Sequence, residues 1–391
     1  MSSNPNLNNS HALIIGASGL IGWSVVNQLL QPYPPSSPFS KITALVNRPL
    51  KLGDSFWPEP GPGRPELELV WGVDLLGAGE EFEEVLRERV KDVEGVSCVF
   101  YCAFKQEDDE LKEVDVNVGM MRRVVRAVKK LSLNFKFFVY PGGTRGYGIY
   151  RSGGIFIAPL VESMADTLPS DYAQTVSYPH YRALLTQESD GQNWTWCELC
   201  PDAITGFTPN GSGYSLAGHW AVYLFTWKLV YGNGAEIPYP GTREGYDSKY
   251  TETSARTLAR VGIYAYLHPE EFRERVYNVA DSGTPGTMRE RWPQIARWFG
   301  LKGVPPPVLA SASDQKPGEF VREHQGKLKA AGVKGVDIWH SQQLDSYGYW
   351  LSFDRQLSLK RLREAGFKEE RKPEDGWFEA FEGFKEAGMI R

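Results

Sequence analysis

Three glycines near the start of the chain have the spacing of a phosphate-binding turn. Gly16, Gly19 and Gly22 follow four apolar residues, 12–15, typical of a buried strand, and precede an amphipathic run typical of a helix. In such a turn the first glycine permits a sharp bend, the second lets backbone approach a pyrophosphate, and the third lets the helix pack on the strand. The N–H groups that begin the helix then face the phosphates. The contacts predicted here are Gly16, Ser18, Gly19, Leu20, Ile21 and Gly22.

The residues after the second predicted strand indicate which dinucleotide this turn binds. A carboxylate at that position accepts the ribose hydroxyls of NAD, whereas a basic residue tolerates the 2′-phosphate of NADP. Asn47 and Arg48 follow the strand at 42–46, and no carboxylate stands beside them. They predict NADP(H) as the cofactor, and the alternative is that Arg48 is an ordinary solvated arginine of a turn.

Strand-like and helix-like runs alternate as far as residue 140, which is typical of a parallel, doubly wound α/β sheet of the Rossmann type. Strands are predicted at 12–15, 42–46, 67–71, 96–101 and 136–140, with helices at 80–92 and 111–131. Ligands of such sheets bind beyond the carboxyl ends of the strands. Residues at or just after strand ends are therefore predicted to contact the cofactor: Asp74, Cys102, Ala103 and Tyr140.

The second half of the chain has a looser pattern with more helix. The predicted elements are a helix after residue 177, a strand at 195–200, an aromatic helix at 214–231, an edge strand or turn at 237–241, a helix at 253–267, a strand at 276–280, and final helices near 287–299 and 355–365. We expect a dinucleotide-binding domain over 1–205. We expect a mainly helical substrate-binding region over 206–391, with some of its strands returning to the sheet.

Composition and charge argue against several classes of partner. The chain has 391 residues, of which 41% are hydrophobic, and a formal net charge of −5, which argues against nucleic acid or an anionic membrane as the main partner. No apolar run has membrane-spanning length and residues 1–10 are polar, so a cytoplasmic location is expected. The cysteines, Cys98/Cys102 and Cys197/Cys200, stand in strand-like runs, which favours buried free thiols over a metal site.

Several motifs between Ile14 and the end of the chain form a recognisable set. They are the glycine turn, the Asn47–Arg48 position, 201–207 (PDAITGF), 239–242 (YPGT), 277–279 (YNV), 291–300 (RWPQIARWFG) and 360–367 (KRLREAGF). As a set they resemble the atypical short-chain dehydrogenase/reductases of the progesterone 5β-reductase and iridoid synthase family. The resemblance implies a Rossmann domain with an appended helical lid, and reduction of enones with NADPH.

The resemblance also implies which residues are catalytic. The family's catalytic lysine follows the fifth strand, and Arg145 stands at that position within 142–147. Arginine keeps the positive charge but is effectively never deprotonated, so electrostatic help survives and a proton relay does not. Counting onward from 168–169 places the family's catalytic tyrosine at Tyr178, or at Tyr181 if the loop is offset by three residues.

Five further residues lie near these positions in the sequence. Pro201 and Ile204, after the sixth strand, are expected to offer backbone groups to the nicotinamide carboxamide, and Asp202 between them stands where the family has glycine. Arg182, four residues after Tyr178, is either a second cation on the same helix face or, as we expect, a solvated helix residue. His180 is either an acid–base group or, as we expect, a partly buried hydrogen-bonding residue.

Three functions are compatible with these residues. The first is an NADPH-dependent reductase of an enone or carbonyl in a hydrophobic small molecule of specialised metabolism, in which Tyr178 stabilises the developing enolate with help from Arg145. The second is a non-redox cyclase or isomerase that positions a reactive intermediate, and the third is a cofactor-sensing binding protein. A homodimer is possible in each case. In the reductase, aromatic residues of the helical region would supply the apolar wall, and plain core packing is the alternative for each of them: Tyr214, Trp220, Phe225 and Trp227.

Overall fold

The computed structural model describes residues 9–31, 33–209, 212–309, 314–335 and 342–391, so nearly all of the polar N-terminal stretch lies outside the described residues. The strands are β1 (Ser10–Ile15), β2 (Phe39–Val46), β3 (Glu66–Trp71), β4 (Val96–Tyr101), β5 (Phe137–Pro141), β6 (Thr195–Pro201), β7 (Ala203–Thr205), β8 (Glu236–Pro238), β9 (Glu252–Ser254), β10 (Arg275–Val279) and β11 (Lys302–Val304).

The helices lie between these strands and after the last of them. They are α1 (Leu20–Leu30), α2 (Leu52–Ser55), α3 (Gly79–Arg89), α4 (Glu110–Leu131), α5 (Ser170–Ala173), α6 (Ser177–Ser189), α7 (Leu216–Tyr231), α8 (Arg243–Asp247), α9 (Ala255–Leu267), α10 (Pro269–Phe272), α11 (Met288–Trp298), α12 (Pro317–Glu323), α13 (Gln325–Ala330), α14 (Gln342–Asp345), α15 (Tyr347–Trp350), α16 (Lys360–Glu364) and α17 (Pro373–Glu386).

The main sheet has seven strands in the order β10-β6-β5-β4-β1-β2-β3, and every neighbouring pair is parallel. The doubly wound parallel sheet predicted from the sequence is therefore confirmed. The chain runs outward from β1 to β3 and then crosses back to β4 on the other side of β1. This reversal opens a crevice beyond the carboxyl ends of β1 and β4, where ligands of such sheets bind.

Side chains of the central strand pack alternately into two cores. Ala12 and Ile14 belong to the core beneath α1 and α9, whereas Leu13 and Ile15 belong to the core beneath α4 and α6. A parallel strand covered by helices on both faces must be apolar throughout, which explains the continuous apolar run that predicted β1. The two helical layers thus hold the carboxyl ends of the strands in fixed positions.

A third core fills the helical region after β6. Trp220 on α7 is its centre, with its ring 5.4 Å from that of Trp292 and stacked 5.3 Å from that of Trp377. Phe225 is buried in the same core, and Trp227 packs against it. Core packing, the alternative given for Trp220, Phe225 and Trp227, is therefore confirmed over a role in the substrate wall, because α7 is apolar on all sides and packs inside the region.

The C-terminal part departs from the sequence prediction in two places. The helix predicted near 355–365 is only the short α16, and the chain does not finish there, because α17 follows and packs against α7. One expectation for this part is met, because β10, a strand of the second half, joins the main sheet beside β6. The domain division at residue 205 stays a prediction. Within the described ranges, no helix combines the length and the apolar character needed to span a bilayer.

Candidate active site

A cavity of about 750 Å³ opens beyond the carboxyl ends of the central strands. Its walls combine the start of α1 with the segments that follow β4, β5 and β6, and the C-terminal segment 344–351 contributes a further wall. Residues predicted from the sequence that line it are Gly19, Leu20, Ile21, Arg48, Cys102, Ala103, Arg145, Tyr178, Tyr181, Pro201 and Ile204, together with Tyr214 from the predicted aromatic wall. The fold thus brings eight of the fourteen predicted cofactor-binding residues and the three predicted catalytic residues to one cavity.

The glycine turn has the geometry that its spacing predicts. Gly16 has φ +79°, and a Cβ there would lie 3.0 Å from the Ala103 backbone nitrogen. A Cβ on Gly22 would lie 2.3 Å from the Gly16 carbonyl oxygen, so the helix and the turn are in direct backbone contact. Gly19 begins α1 at the cavity, and a Cβ there would meet only the Gly16 carbonyl oxygen, at 3.3 Å. This cradle fits the pyrophosphate of a dinucleotide at a helix N-terminus.

We predict that Gly19→Ala retains the fold but lowers affinity for NADPH by roughly tenfold or more, because the new methyl group occupies the approach to the α1 N–H groups. Titration calorimetry measures the affinity and a thermal melt checks the fold. Gly22→Ala is the contrasting variant, since its Cβ meets backbone rather than the cavity and must lower the melting temperature. Unchanged NADPH affinity in Gly19→Ala would show that the pyrophosphate binds elsewhere.

Six residues predicted to bind the cofactor lie outside the cavity lining: Gly16, Ser18, Gly22, Asn47, Asp74 and Tyr140. Of these, Gly16 and Gly22 shape the turn through the backbone contacts described above. Asn47 and Asp74 are exposed, and an Asp74 carboxylate oxygen accepts a hydrogen bond from the Leu76 N–H at 2.9 Å. The Tyr140 hydroxyl donates to Glu198 Oε2 at 2.8 Å, because the side chain points into the core beside β6 rather than toward the strand end. Sequence position alone could not give that orientation.

Tyr178 and Tyr181 occupy different depths in the cavity wall. Tyr178 is partly exposed, and no group in the described part of the chain forms a hydrogen bond with its hydroxyl. Tyr181 is only 2% exposed, and its ring packs edge-on against Tyr101 and Tyr140. Of the two phenols, that of Tyr178 is therefore the one accessible to a ligand.

The Tyr178 ring packs against the loop that follows β5. A Cβ on Gly143 would lie 3.2 Å from the Tyr178 hydroxyl oxygen, and one on Gly146 would lie 3.1 Å from ring atom Cδ2. Burial raises the pKa of Tyr178 well above its usual range, and the positive charge of Arg145 partly opposes that rise. A protonated phenol at this position can donate a hydrogen bond to a ligand.

Arg145 is held by an ion pair that the sequence did not reveal. Its Nη1 donates to Glu113 Oε1 on α4, its Nη2 donates to the Thr175 carbonyl at 3.2 Å, and its guanidinium lies 4.9 Å from the Tyr150 ring centroid. Glu113 is buried and lines the cavity. Glu113 stands one helical turn before the buried Asn117 on α4. An acidic residue on the buried face of a helix was therefore the feature of the sequence that could have indicated an ion pair here.

The neighbours of Tyr178 on α6 differ from expectation. Arg182 is 13% exposed, and its Nη1 donates to Glu198 Oε2 at 2.8 Å, so it is neither solvated nor a second cation in the cavity. The expectation of a solvated residue is therefore wrong, and the cause is the buried Glu198 carboxylate on β6. His180 is partly buried as expected, but its Nε2 has no hydrogen-bond partner among the residues that the structure describes.

The cysteines are all free thiols. Three of them are buried, and Cys102 borders the cavity, where burial raises the pKa of its thiol to about 12. Within the described residues, no three side chains of the types His, Cys, Asp and Glu are grouped so as to hold a metal ion.

A parallel, doubly wound sheet with a glycine turn beside the cavity defines the dinucleotide-binding Rossmann class. Residues 12–391 match the family model described as PRISE-like Rossmann-fold domain. The chain therefore belongs to this family of the short-chain dehydrogenase/reductase oxidoreductases, as the sequence motifs predicted.

Individual relatives agree with this assignment. The short chain dehydrogenase ausT of Aspergillus calidoustus is 29% identical over 98% of this chain and 94% of its own length. The 3-oxo-Delta(4,5)-steroid 5-beta-reductase of Arabidopsis thaliana is 22% identical over 96% of this chain and 92% of its own length. Among solved structures, the GDP-mannoheptose C4 reductase of Campylobacter jejuni with NADP bound has a TM-score of 0.58 at 14% identity, covering 97% of this chain and 99% of that one. That structure supports the fold.

Proposed function

We propose that the protein is an NADPH-dependent reductase of an enone in a hydrophobic small molecule of specialised metabolism. The observation that carries the proposal is the Tyr178 hydroxyl, which reaches the cavity between the glycine turn and the C-terminal wall without a protein partner in the described ranges. The Arabidopsis relative, whose name describes reduction at a steroid double bond conjugated to a ketone, supports the same reaction class.

The chemistry required of the protein is stabilisation of negative charge. NADPH, when bound, supplies a hydride to the β-carbon of the enone, and negative charge then develops on the carbonyl oxygen. In this proposal the Tyr178 phenol donates a hydrogen bond to that oxygen, and the positive charge of Arg145 stabilises the same negative charge. Because Glu113 pairs with Arg145, the net field at the phenol is weaker than that of an unpaired cation.

Part of the cavity wall favours an apolar substrate. That part includes Ile149, Leu344, Trp350 and Leu351, and the rings of Phe104 and Tyr214 meet edge to face at the cavity border. Further polar and charged residues also line the cavity: Gln106, Glu107, Asp108, Glu110 and Ser212. Apolar walls with a few positioned polar groups are typical of small-molecule sites. The cytoplasmic location and the homodimer remain predictions.

Arg48 supports NADPH over NADH as the cofactor. It is exposed and borders the cavity just after β2, where a 2′-phosphate is recognised in this class of fold. We predict that Arg48→Glu lowers the ratio of NADPH to NADH affinity by about tenfold or more, because a carboxylate repels the phosphate and accepts ribose hydroxyls. Arg64→Glu, at an exposed arginine outside the lining, is the matched control. An unchanged ratio would remove Arg48 from the cofactor site.

The function is tested by NADPH oxidation over a panel of hydrophobic enones and ketones, with product masses measured. Reduction of an enone adds two hydrogens, one as the hydride from one NADPH and one as a proton from solvent, and it leaves NADP⁺. A product of unchanged mass would instead indicate the cyclase or isomerase that the altered lysine position leaves open. Tight NADPH binding without conversion of any compound in the panel would contradict both enzymatic functions for that panel. It would favour a cofactor-binding protein without catalytic activity.

A further inference from the structure

The C-terminal wall of the cavity carries one phenol among apolar side chains. Of the residues that the structure describes in this segment, Leu344, Tyr347, Trp350 and Leu351 line the cavity, and Tyr347 alone among them bears a hydroxyl. Arg355 Nη2 donates a hydrogen bond to that hydroxyl at 2.7 Å. Because the Tyr347 oxygen already accepts from a cation, its own hydrogen is the group left to donate.

Arg355 is itself fixed by a buried carboxylate. Its Nε lies 3.1 Å from Asp202 Oδ2, and the two side chains are 2% and 3% exposed. Asp202 Oδ1 accepts from the Thr144 hydroxyl at 2.9 Å, and the Arg355 backbone N–H donates to the Lys249 carbonyl at 2.8 Å. The pair therefore ties the segment after β6 and the loop after β5 to the C-terminal wall.

Stability alone does not account for this pair. Desolvating two opposite charges offsets much of their attraction, and packed apolar side chains of similar volume are often equally stabilising. Asp202 and Tyr347 both line the cavity, and Arg355 contacts both of them. A buried cation that polarises a phenol in an otherwise apolar wall is instead suited to recognise an oxygen atom of a ligand.

We infer that Tyr347, held by Arg355 and Asp202, donates a hydrogen bond to a second oxygen of the substrate, separate from the carbonyl that Tyr178 polarises. This rests on the proposed function, and it defines the substrate class as hydrophobic enones with a hydroxyl or keto oxygen remote from the conjugated carbonyl. The loop after β5 contacts the Tyr178 ring at Gly143 and Gly146. The same loop is linked to Tyr347 through the contacts of Thr144 with Asp202 and of Asp202 with Arg355. The spacing between the two oxygens is thereby part of the recognition.

Paired ligands test the inference without relying on turnover. Each pair consists of one hydrophobic enone and the same enone with one added hydroxyl or keto oxygen, and the set moves that oxygen along the carbon skeleton. Calorimetry on the full chain, with and without NADP⁺, gives the ratio of affinities within each pair. We expect at least one pair to show about tenfold tighter binding of the oxygenated member, and Tyr347→Phe to bring that ratio close to one.

Tyr250→Phe is the matched control. Tyr250 also lies against Arg355, 5.0 Å from guanidinium carbon to ring centroid, but its hydroxyl donates to Glu252 and it does not line the cavity. This variant loses the same atom from a buried tyrosine, and it should keep the ratio found in the unmodified protein. Asp202→Asn is a second variant, which weakens the electrostatic attraction that fixes Arg355. It should lower the affinity ratio within the pairs, and a cooperative thermal melt checks that the variant is folded.

The inference is overturned if every pair binds with a ratio near one, or if the preference survives Tyr347→Phe. It is also overturned if Tyr250→Phe removes the preference equally, since that would show a general effect on packing. Failure of the proposed function is a different result. In that case the panel consumes no NADPH, whereas the affinity ratios still report on Tyr347.

Discussion

Tyr178→Phe should lower kcat for enone reduction by about 10²–10³-fold while leaving NADPH affinity and the melting temperature nearly unchanged, because removing one donor to a developing oxyanion has that cost. The substitution removes a single oxygen that faces the cavity, and the ring keeps its packing on Gly143 and Gly146. Steady-state kinetics with saturating NADPH gives kcat, and calorimetry gives the cofactor affinity. Since the hydroxyl acts mainly on the transition state, kcat and kcat/KM should fall together.

Tyr181→Phe is the matched control for that experiment. Tyr181 is buried behind Tyr178, so loss of its hydroxyl should change kcat by less than about threefold. Full activity in Tyr178→Phe together with a large loss in Tyr181→Phe would transfer the catalytic role to the deeper phenol. Full activity in both variants would indicate a mechanism without tyrosine.

Arg145→Met should lower the free energy of unfolding by about 3 kcal/mol, because it leaves Glu113 buried without its cation. The Arg145 side chain is 16% exposed, so the lower end of the range for buried pairs applies. Urea denaturation measures the loss, and kcat in the surviving folded protein should also fall, since charge near Tyr178 is removed.

Glu113→Gln combined with Arg145→Met closes a double-mutant cycle on this pair. The double variant should recover most of the stability lost in Arg145→Met, because no charge is then left unpaired. It should not recover activity, since the cation near the phenol is still absent. Additive losses of stability would contradict the ion pair, and recovered activity would contradict an electrostatic role for Arg145.

Local patterns predicted the parts of the fold that depend on neighbouring residues. The glycine turn was found because Gly16, Gly19 and Gly22 act within one strand–turn–helix unit, and the apolar run of β1 follows from burial on both faces. α17 was missed although Pro373 begins it and acidic residues fill its first turn, which are ordinary signals of a helix start.

Contacts between distant residues could not be found in this way. Glu113 and Arg145, and likewise Asp202 and Arg355, meet only because the sheet brings separate loops and the C-terminal segment to one cavity. Whether the aromatic residues of α7 form a cavity wall or a core was left open, because composition does not distinguish the two. The buried surroundings of Trp220 do make that distinction.

A crystal structure of the full chain with NADP⁺ tests the central claim most directly. We expect the pyrophosphate at the N-terminus of α1 beside Gly19, and the nicotinamide ring below the Tyr178 hydroxyl. We also expect space for an enone whose β-carbon lies about 3–3.5 Å from the reacting ring carbon. A nicotinamide ring placed away from Tyr178, or a cofactor bound outside this cavity, would contradict it.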